Sequence, residues 1–207
     1  MDYQGFLRLA ERGEIPPVLL LHGPDAQLLD DALDLLTRRL FPDGATAALG
    51  REVLDGRETT GEAVVNAALT LPLMTGLRLV VVRHAQAVPA RHADALAAYA
   101  RDPNPATRLV LMAGEGLRAS RERRTEHWLL RAVPVAAVVD LPARHGRELA
   151  AWLRQRAAVE GLEVALSKRR TGITLECDDP SIPAGRGNLV YRACEVWKRA
   201  RKHRGEE

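Results

Sequence analysis

The residues best typed for chemistry follow the first apolar run of the chain, at Leu21-His22-Gly23-Pro24-Asp25-Ala26-Gln27-Leu28. In a nucleotide-binding α/β domain this is the place of the phosphate loop. There, glycines hold backbone amides open around the phosphates, a Lys reaches the β/γ-phosphates and a Ser or Thr holds magnesium. Here Gly23 is the lone glycine, Pro24 removes an amide donor, Asp25 repels phosphate, and Lys and Ser/Thr are missing. The stretch reads as a tight turn with a helix cap: a degenerate phosphate-loop position, not expected to bind ATP.

Other chemistry is thinly supplied. Ser120, Ser167 and Ser181 are the only serines, and none lies in a Gly-x-Ser-x-Gly elbow. The six histidines show no metal-ligand spacing. His84 follows an apolar run and reads as a solvent-facing side chain rather than a base. Asp30-Asp31 and Asp178-Asp179 read as a helix face and a turn rather than a catalytic pair. No catalytic residue, no metal ligand and no cofactor is expected. A divergent nucleotide-binding enzyme using Asp55 or Asp140 at strand ends for a metal stays open as an alternative.

Two stretches suit binding better than catalysis. In Leu71 to Arg83, Leu79 to Val82 reads as a strand buried on both faces. Before it, Pro72, Leu73 and Met74 put bulky apolar groups into a loop, where water is the usual neighbour. Such a tip either tucks into its own core or is held out for a partner. The second stretch, Arg192 to Arg204, holds six Lys/Arg against one Glu, with Trp197 inside it. Arg192, Lys198, Arg199, Arg201 and Lys202 are candidate nucleic-acid contacts. The segment reads equally as a disordered charged terminus, and a DNA-binding adaptor acting through this tail is the other alternative. Arg121-Glu122-Arg123-Arg124 reads as a solvated helix face.

These residues need a scaffold, and apolar periodicity supplies one. Helices are expected over Asp2–Arg12, from an Asp25 cap to about Leu40, from a Thr59/Glu62 capping box to about Leu69, and over Ala90–Arg101, Arg118–Ala132 and Arg147–Glu160. Strands are expected at Val18–His22, Arg51–Asp55, Leu77–Val82, Thr107–Met112 and Val135–Asp140. Five apolar strands alternating with helices predict a doubly wound, mainly parallel α/β sheet over residues 1–141. The start of a small helical domain is expected at 142–166, and an irregular basic tail at 167–207.

Composition is that of an ordinary soluble domain, with 46% hydrophobic and 28% charged residues. Aromatics are 4%, so the core must rest on Leu, Val and Ala. The net charge of +3 is uneven: Ser167 onward holds ten Lys/Arg and six Asp/Glu, the rest twenty and twenty-one. Cys177 and Cys194 lie far apart without a CxxC, which suggests a reducing, cytoplasmic setting. No apolar run approaches the ~20 residues needed to span a bilayer, and no membrane partner is expected.

Taken together, the residues resemble the delta subunit of bacterial DNA polymerase III, a clamp-loader component. Val18-Leu19-Leu20-Leu21-His22-Gly23-Pro24-Asp25 is similar to that family's first strand and degenerate loop. Leu71-Pro72-Leu73-Met74 before Arg78-Leu79-Val80-Val81-Val82 is similar to its clamp-contact segment. Tyr99, Asp102, Pro103 and Pro105 resemble the next crossover, and Trp152, Arg156 and Gly161 the opening of its second domain. The resemblance implies an AAA+-like fold without ATP hydrolysis or intrinsic catalysis, as one component of the polymerase III holoenzyme. It implies binding and opening of the ring-shaped beta sliding clamp, with Leu73 and Met74 as the inserted pair, and DNA as an indirect partner. The family usually has Phe where Met74 stands, and often paired basic residues where Leu77 precedes Arg78. Its collar domain joins the other loader subunits; Ser167 onward does not resemble the expected helices, which leaves contact with those subunits open.

Overall fold

A computed structural model describes residues 1–72, 75–120 and 124–143. The chain divides into two units, Met1–Ala143 and Arg144–Glu207, and the described residues belong to the first. The expected helix at Arg147–Glu160 and the basic tail lie outside the described residues.

The elements follow in the order the periodicity requires. Helix α1 (Tyr3–Glu11) starts at Asp2, whose carboxylate accepts the Gly5 amide at 2.8 Å. Strand β1 (Val18–His22) is buried along its whole length. Helix α2 (Ala26–Leu40) is capped by Asp25 and buries Leu28, Leu29, Ala32, Leu33 and Leu36, one face at 3.6 spacing. A six-residue helix α3 (Ala45–Gly50), absent from the sequence-based reading, leads into β2 (Arg51–Asp55). Helix α4 (Gly61–Leu69) follows, then β3 (Arg78–Arg83), two 3-10 turns, α5 (Ala93–Arg101) and β4 (Thr107–Ala113). Helix α6 (Leu129–Ala132), a third 3-10 turn and β5 (Val138–Asp140) close the series.

The five strands pair in the order β2-β3-β4-β1-β5, all parallel. Side chains alternate across the sheet, so each strand feeds two cores. Leu20, Val80, Val82, Leu109, Leu111 and Val138 pack under α4, α5 and α6. Leu19, Leu21, Leu79, Val81, Val110 and Val139 pack under α1 and α2. Helices thus cover both faces of the expected doubly wound α/β sheet.

Four expectations are corrected. The cap of α4 is Thr60, whose hydroxyl accepts the Ala63 amide at 3.2 Å, and not Thr59. Glu62 reaches His92 Nδ1, 3.0 Å away, on the turn before α5. Strand β3 starts at Arg78 rather than Leu77, because the Arg78 amide is the first bonded across to the β4 side, at Ala106 O. Strand β5 starts at Val138; Val135–Ala137 coils as a 3-10 turn closed by the Ala137 amide on Pro134 O.

The fourth correction is the helix expected over Arg118–Ala132, of which only Leu129–Ala132 is helical among the described residues. The His127 amide donates to Leu117 O at 2.9 Å. A continuous helix would set residues ten apart at about 15 Å along its axis. Leu117 and Leu129 enter the same core, and burying both outweighs the local helical pattern.

Candidate functional site

The connection leaving β1 and the one leaving β4 run in opposite directions, and these strands are neighbours. In open α/β sheets the crevice at the carboxyl ends of such a strand pair is where ligands bind. Gly23, Pro24 and Asp25 sit at that crevice, directly after β1.

The protein itself fills the place. The Gly23 amide donates to Ala113 O at 3.1 Å. A Cβ at Gly23 would stand 1.8 Å from Leu141 O, so the chain after β5 lies directly on the turn. The Leu141 amide donates to His22 O at 2.8 Å. Asp25 Oδ1 accepts the Leu28 amide at 3.0 Å, so a carboxylate already occupies the positive end of α2 where phosphate would sit. Pro24 has no amide to offer.

Beneath this turn lies His22, a residue the sequence did not single out. It is fully buried, and its Nδ1 accepts the Leu117 amide at 3.4 Å and lies 3.9 Å from Asp140 Oδ1. Asp140 in turn meets Arg118 Nε at 3.3 Å. Burial holds the His22 pKa below its ordinary value, against the pull of Asp140 and with help from Arg118 and the N-terminal ammonium. An accepting Nδ1 places the proton of the neutral ring on Nε2.

The unfolded chain therefore binds more protons at this residue than the folded one below about pH 6.5. The stability from neutral His22 is complete above that pH and is lost as the pH falls toward the lowered folded value. His22→Asn retains an acceptor near the Nδ1 position and removes the titration. We expect urea midpoints at pH 7.5 and 5.5 to lie closer together in this variant than in the parent chain. An equal spread in both would show that His22 does not carry the acid sensitivity.

The acids proposed for a metal are engaged as well. Asp55 at the end of β2 is gripped by Arg57, with Nη2 at 2.6 Å and Nε at 3.0 Å, and lies 3.3 Å from His84 Nδ1. Hydrogen bonds from Arg57 hold its carboxyl far below the usual range. Asp140 is shared between Arg118 and His22. Among the described residues no cluster of three or more His, Cys, Asp or Glu could hold a metal ion. His84 is partly exposed and sits at φ +52°, an unusual backbone for a non-glycine residue, at the corner after β3.

The opposite, amino-terminal edge of the sheet carries the apolar loop between α4 and β3. Leu73 and Met74 themselves lie outside the described residues, but both flanks of the loop are anchored. The Thr70 amide and hydroxyl both donate to Asn66 O, finishing α4. Thr75 Oγ1 donates to Leu77 O at 2.5 Å, and Gly76 turns the chain at φ +66°, a region that favours glycine. Arg78 then enters β3 and pairs with Glu52 of β2. Leu71 is 68% exposed on the near side of the loop. Arg192, Lys198, Arg199, Arg201 and Lys202 lie outside the described residues, as do Arg121, Glu122 and Arg123.

A five-stranded, all-parallel sheet covered by helices on both faces defines the class as a doubly wound α/β domain. The family model for the DNA polymerase III delta subunit matches residues 19–135, more than half of the 207, and the chain belongs to that family. Among solved structures it is similar to the Bacillus subtilis DNA clamp loader delta protein (YqeN). The TM-score is 0.57 at 21% identity, over 77% of this chain and 48% of that one. That likeness shows the fold. Weaker likenesses are to a Thermotoga maritima DNA polymerase III gamma subunit-related protein and a Thermotoga maritima RuvB variant. The first has 16% identity and a TM-score of 0.47, covering 73% of this chain and 49% of that one. The second has 15% identity and a TM-score of 0.46, covering 78% and 50%. No curated protein matches significantly. The chain spans about half the length of the solved proteins it matches. No helix among the described residues is long and apolar enough to cross a membrane.

Proposed function

We infer that this chain acts in DNA replication as the delta subunit of a clamp loader, binding the beta sliding clamp and helping to open the ring. Leu73 and Met74 form the inserted pair, and the remaining loader subunits and DNA are its further partners. Family membership over residues 19–135, a span that contains the whole apolar loop, carries this reading. The anchored flanks and the exposed Leu71 support it, since an apolar tip between two fixed ends needs little ordering on binding. The test is direct binding of the chain to an immobilised beta clamp from the same organism. Absence of saturable binding would overturn the reading.

ATP plays no part in this chain's own action. Three observations support that: the Gly23 amide is taken by Ala113, the α2 terminus by Asp25, and the space over Gly23 by Leu141. Titration calorimetry with ATP and magnesium is expected to give no saturable heat. A binding isotherm would revive the nucleotide-hydrolysing alternative.

A further inference from the structure

The sheet has two edges, and the chain treats them differently. The β5 edge is closed by the chain itself: Met1 N donates to Val138 O at 2.5 Å, and the Asp140 amide donates to Met1 O at 3.0 Å. Strand β2 forms the other edge and pairs with β3 alone. An uncovered strand edge is a template for pairing with another chain.

The direction of the β2 backbone follows from one bond. The Gly56 amide donates to Arg83 O at 2.7 Å, towards β3. Successive residues of a strand alternate, so Glu52 and Leu54 also turn their amides and carbonyls to β3. Arg51, Val53 and Asp55 turn theirs outward. Two of these outward groups are used within the chain: the Arg51 amide donates to Ala47 O, and Asp55 O accepts the Glu58 amide at 3.0 Å. Arg51 O, the Val53 amide and carbonyl, and the Asp55 amide have no backbone partner among the described residues.

These open groups match a second copy of the same edge. With two copies antiparallel about a two-fold axis at Val53, each Val53 amide meets the other Val53 carbonyl. Each Asp55 amide then meets the other copy's Arg51 O. The groups already used, the Arg51 amide and Asp55 O, face each other, so the pairing asks nothing of them.

The side chains match as well. Arg51, Val53 and Asp55 share one face of β2. Across the axis Val53, 48% exposed, faces itself, and Arg51 faces Asp55, an opposite-charge pair. Arg51 forms no ion pair among the described residues, and the Asp55 side chain keeps 27% of its surface open. Glu52 and Leu54 face the other way, on Arg78 and the core. A strand of unrelated sequence would satisfy the backbone and not the charges, whereas a second copy satisfies both.

We propose that β2 is a self-association edge: two copies of this chain pair antiparallel through Arg51–Asp55, joining their five-stranded sheets into one. Five residues a side bury far less than the about 800 Å² per partner of a stable complex, so the dimer is weak and concentration-dependent. This pairing does not depend on binding to the clamp.

Sedimentation velocity on the full chain, over a concentration series, is the measurement. The parent is expected to pass from monomer to dimer as its concentration rises to about 0.5 mM. Val53→Pro removes an outward amide and none of the β2–β3 bonds, a position where a sheet edge tolerates proline. It should raise the dissociation constant at least tenfold. Arg51→Glu sets a carboxylate against Asp55 and should raise it at least fivefold, with Arg51→Lys close to the parent. Register is tested by Val53→Cys in a Cys177→Ser, Cys194→Ser background. Residues paired in this way lie about 5.5 Å apart at Cα, within disulfide reach, so mild oxidation should link the two copies. Val135→Cys, at a position 80% exposed before β5, should not link them. Melts that match the parent show which variants fold, and if Val53→Pro does not, the cross-link decides. A parent that stays monomeric across the series overturns the proposal. So does a dimer that Val53→Pro and Arg51→Glu leave intact, or equal cross-linking from position 135.

Discussion

Replacing Leu73 and Met74 together with alanine is expected to weaken binding to the beta clamp between about 100-fold and several thousandfold. The magnitude follows from burial: two such side chains contribute roughly 3–5 kcal/mol on leaving water for an apolar pocket, and each 1.4 kcal/mol is tenfold in affinity. The loss should fall mainly on the dissociation rate, as apolar contacts at the centre of an interface do. It should persist at high salt, because no charge is removed. The fold should not suffer, since the helix and strand on either side are closed by their own bonds at Thr70 and Arg78. Plasmon resonance and a thermal melt on the same samples separate the two effects. Parent-like affinity in a folded double variant would refute the assignment of the wedge.

The second large effect is on stability. Gly23→Val should destabilise the domain by about 3 kcal/mol or more, lowering the melting temperature by roughly 6–12 °C. A Cβ at this position would meet Leu141 O at 1.8 Å and the Leu141 carbonyl carbon at 2.6 Å. Both are backbone atoms, so no rotamer change relieves the clash. The strand end must move, and with it the bonds from Leu141 to His22 and from Gly23 to Ala113. A glycine that in a working phosphate loop admits a nucleotide here admits the chain's own backbone. Comparison of melts for Gly23→Val and Gly76→Ala distinguishes crowding from conformational strain. Gly76 also needs its φ of +66°, but apart from its chain neighbours no atom of the described residues lies within 4 Å of a Cβ there, so its loss should be much the smaller. A Gly23→Val melt equal to that of the parent would mean that the crevice is not closed as described.

The sequence left two fates open for Pro72, Leu73 and Met74. The structure gives a half-buried Pro72 and an exposed Leu71 on the approach to the tip. Helix α3 had no signal in the sequence: Ala45–Gly50 has too few residues for a periodicity to show, and its approach to Thr75 through Gly50 is set by the fold. His22 was equally hidden. One histidine at the end of an apolar run carries no pattern, and its pairing with Leu117 and Asp140 joins residues about a hundred positions apart.

The sequence by itself determined the sheet, because four of the five strands announce themselves by apolar runs too short for helices. It determined α1 and α2 by 3.6 periodicity, α5 by its alanine-rich run, and the cap Asp25 by residue type. It also determined that the phosphate-loop position lacks its Lys, which is a matter of residue identity. Only the tertiary structure decided what became of Arg118–Ala132, whose charged, Leu-containing pattern favours a helix locally. Burying Leu117 beside Leu129 is worth more than the helix hydrogen bonds that the chain could instead satisfy in water. Only the tertiary structure closed the crevice, since Ala113, Leu117 and Leu141 meet Gly23 and His22 through the parallel pairing of β1 with β4 and β5. Local preference is written in neighbours along the chain, whereas closure depends on backbone groups brought together by strand order, and no residue type encodes that alone.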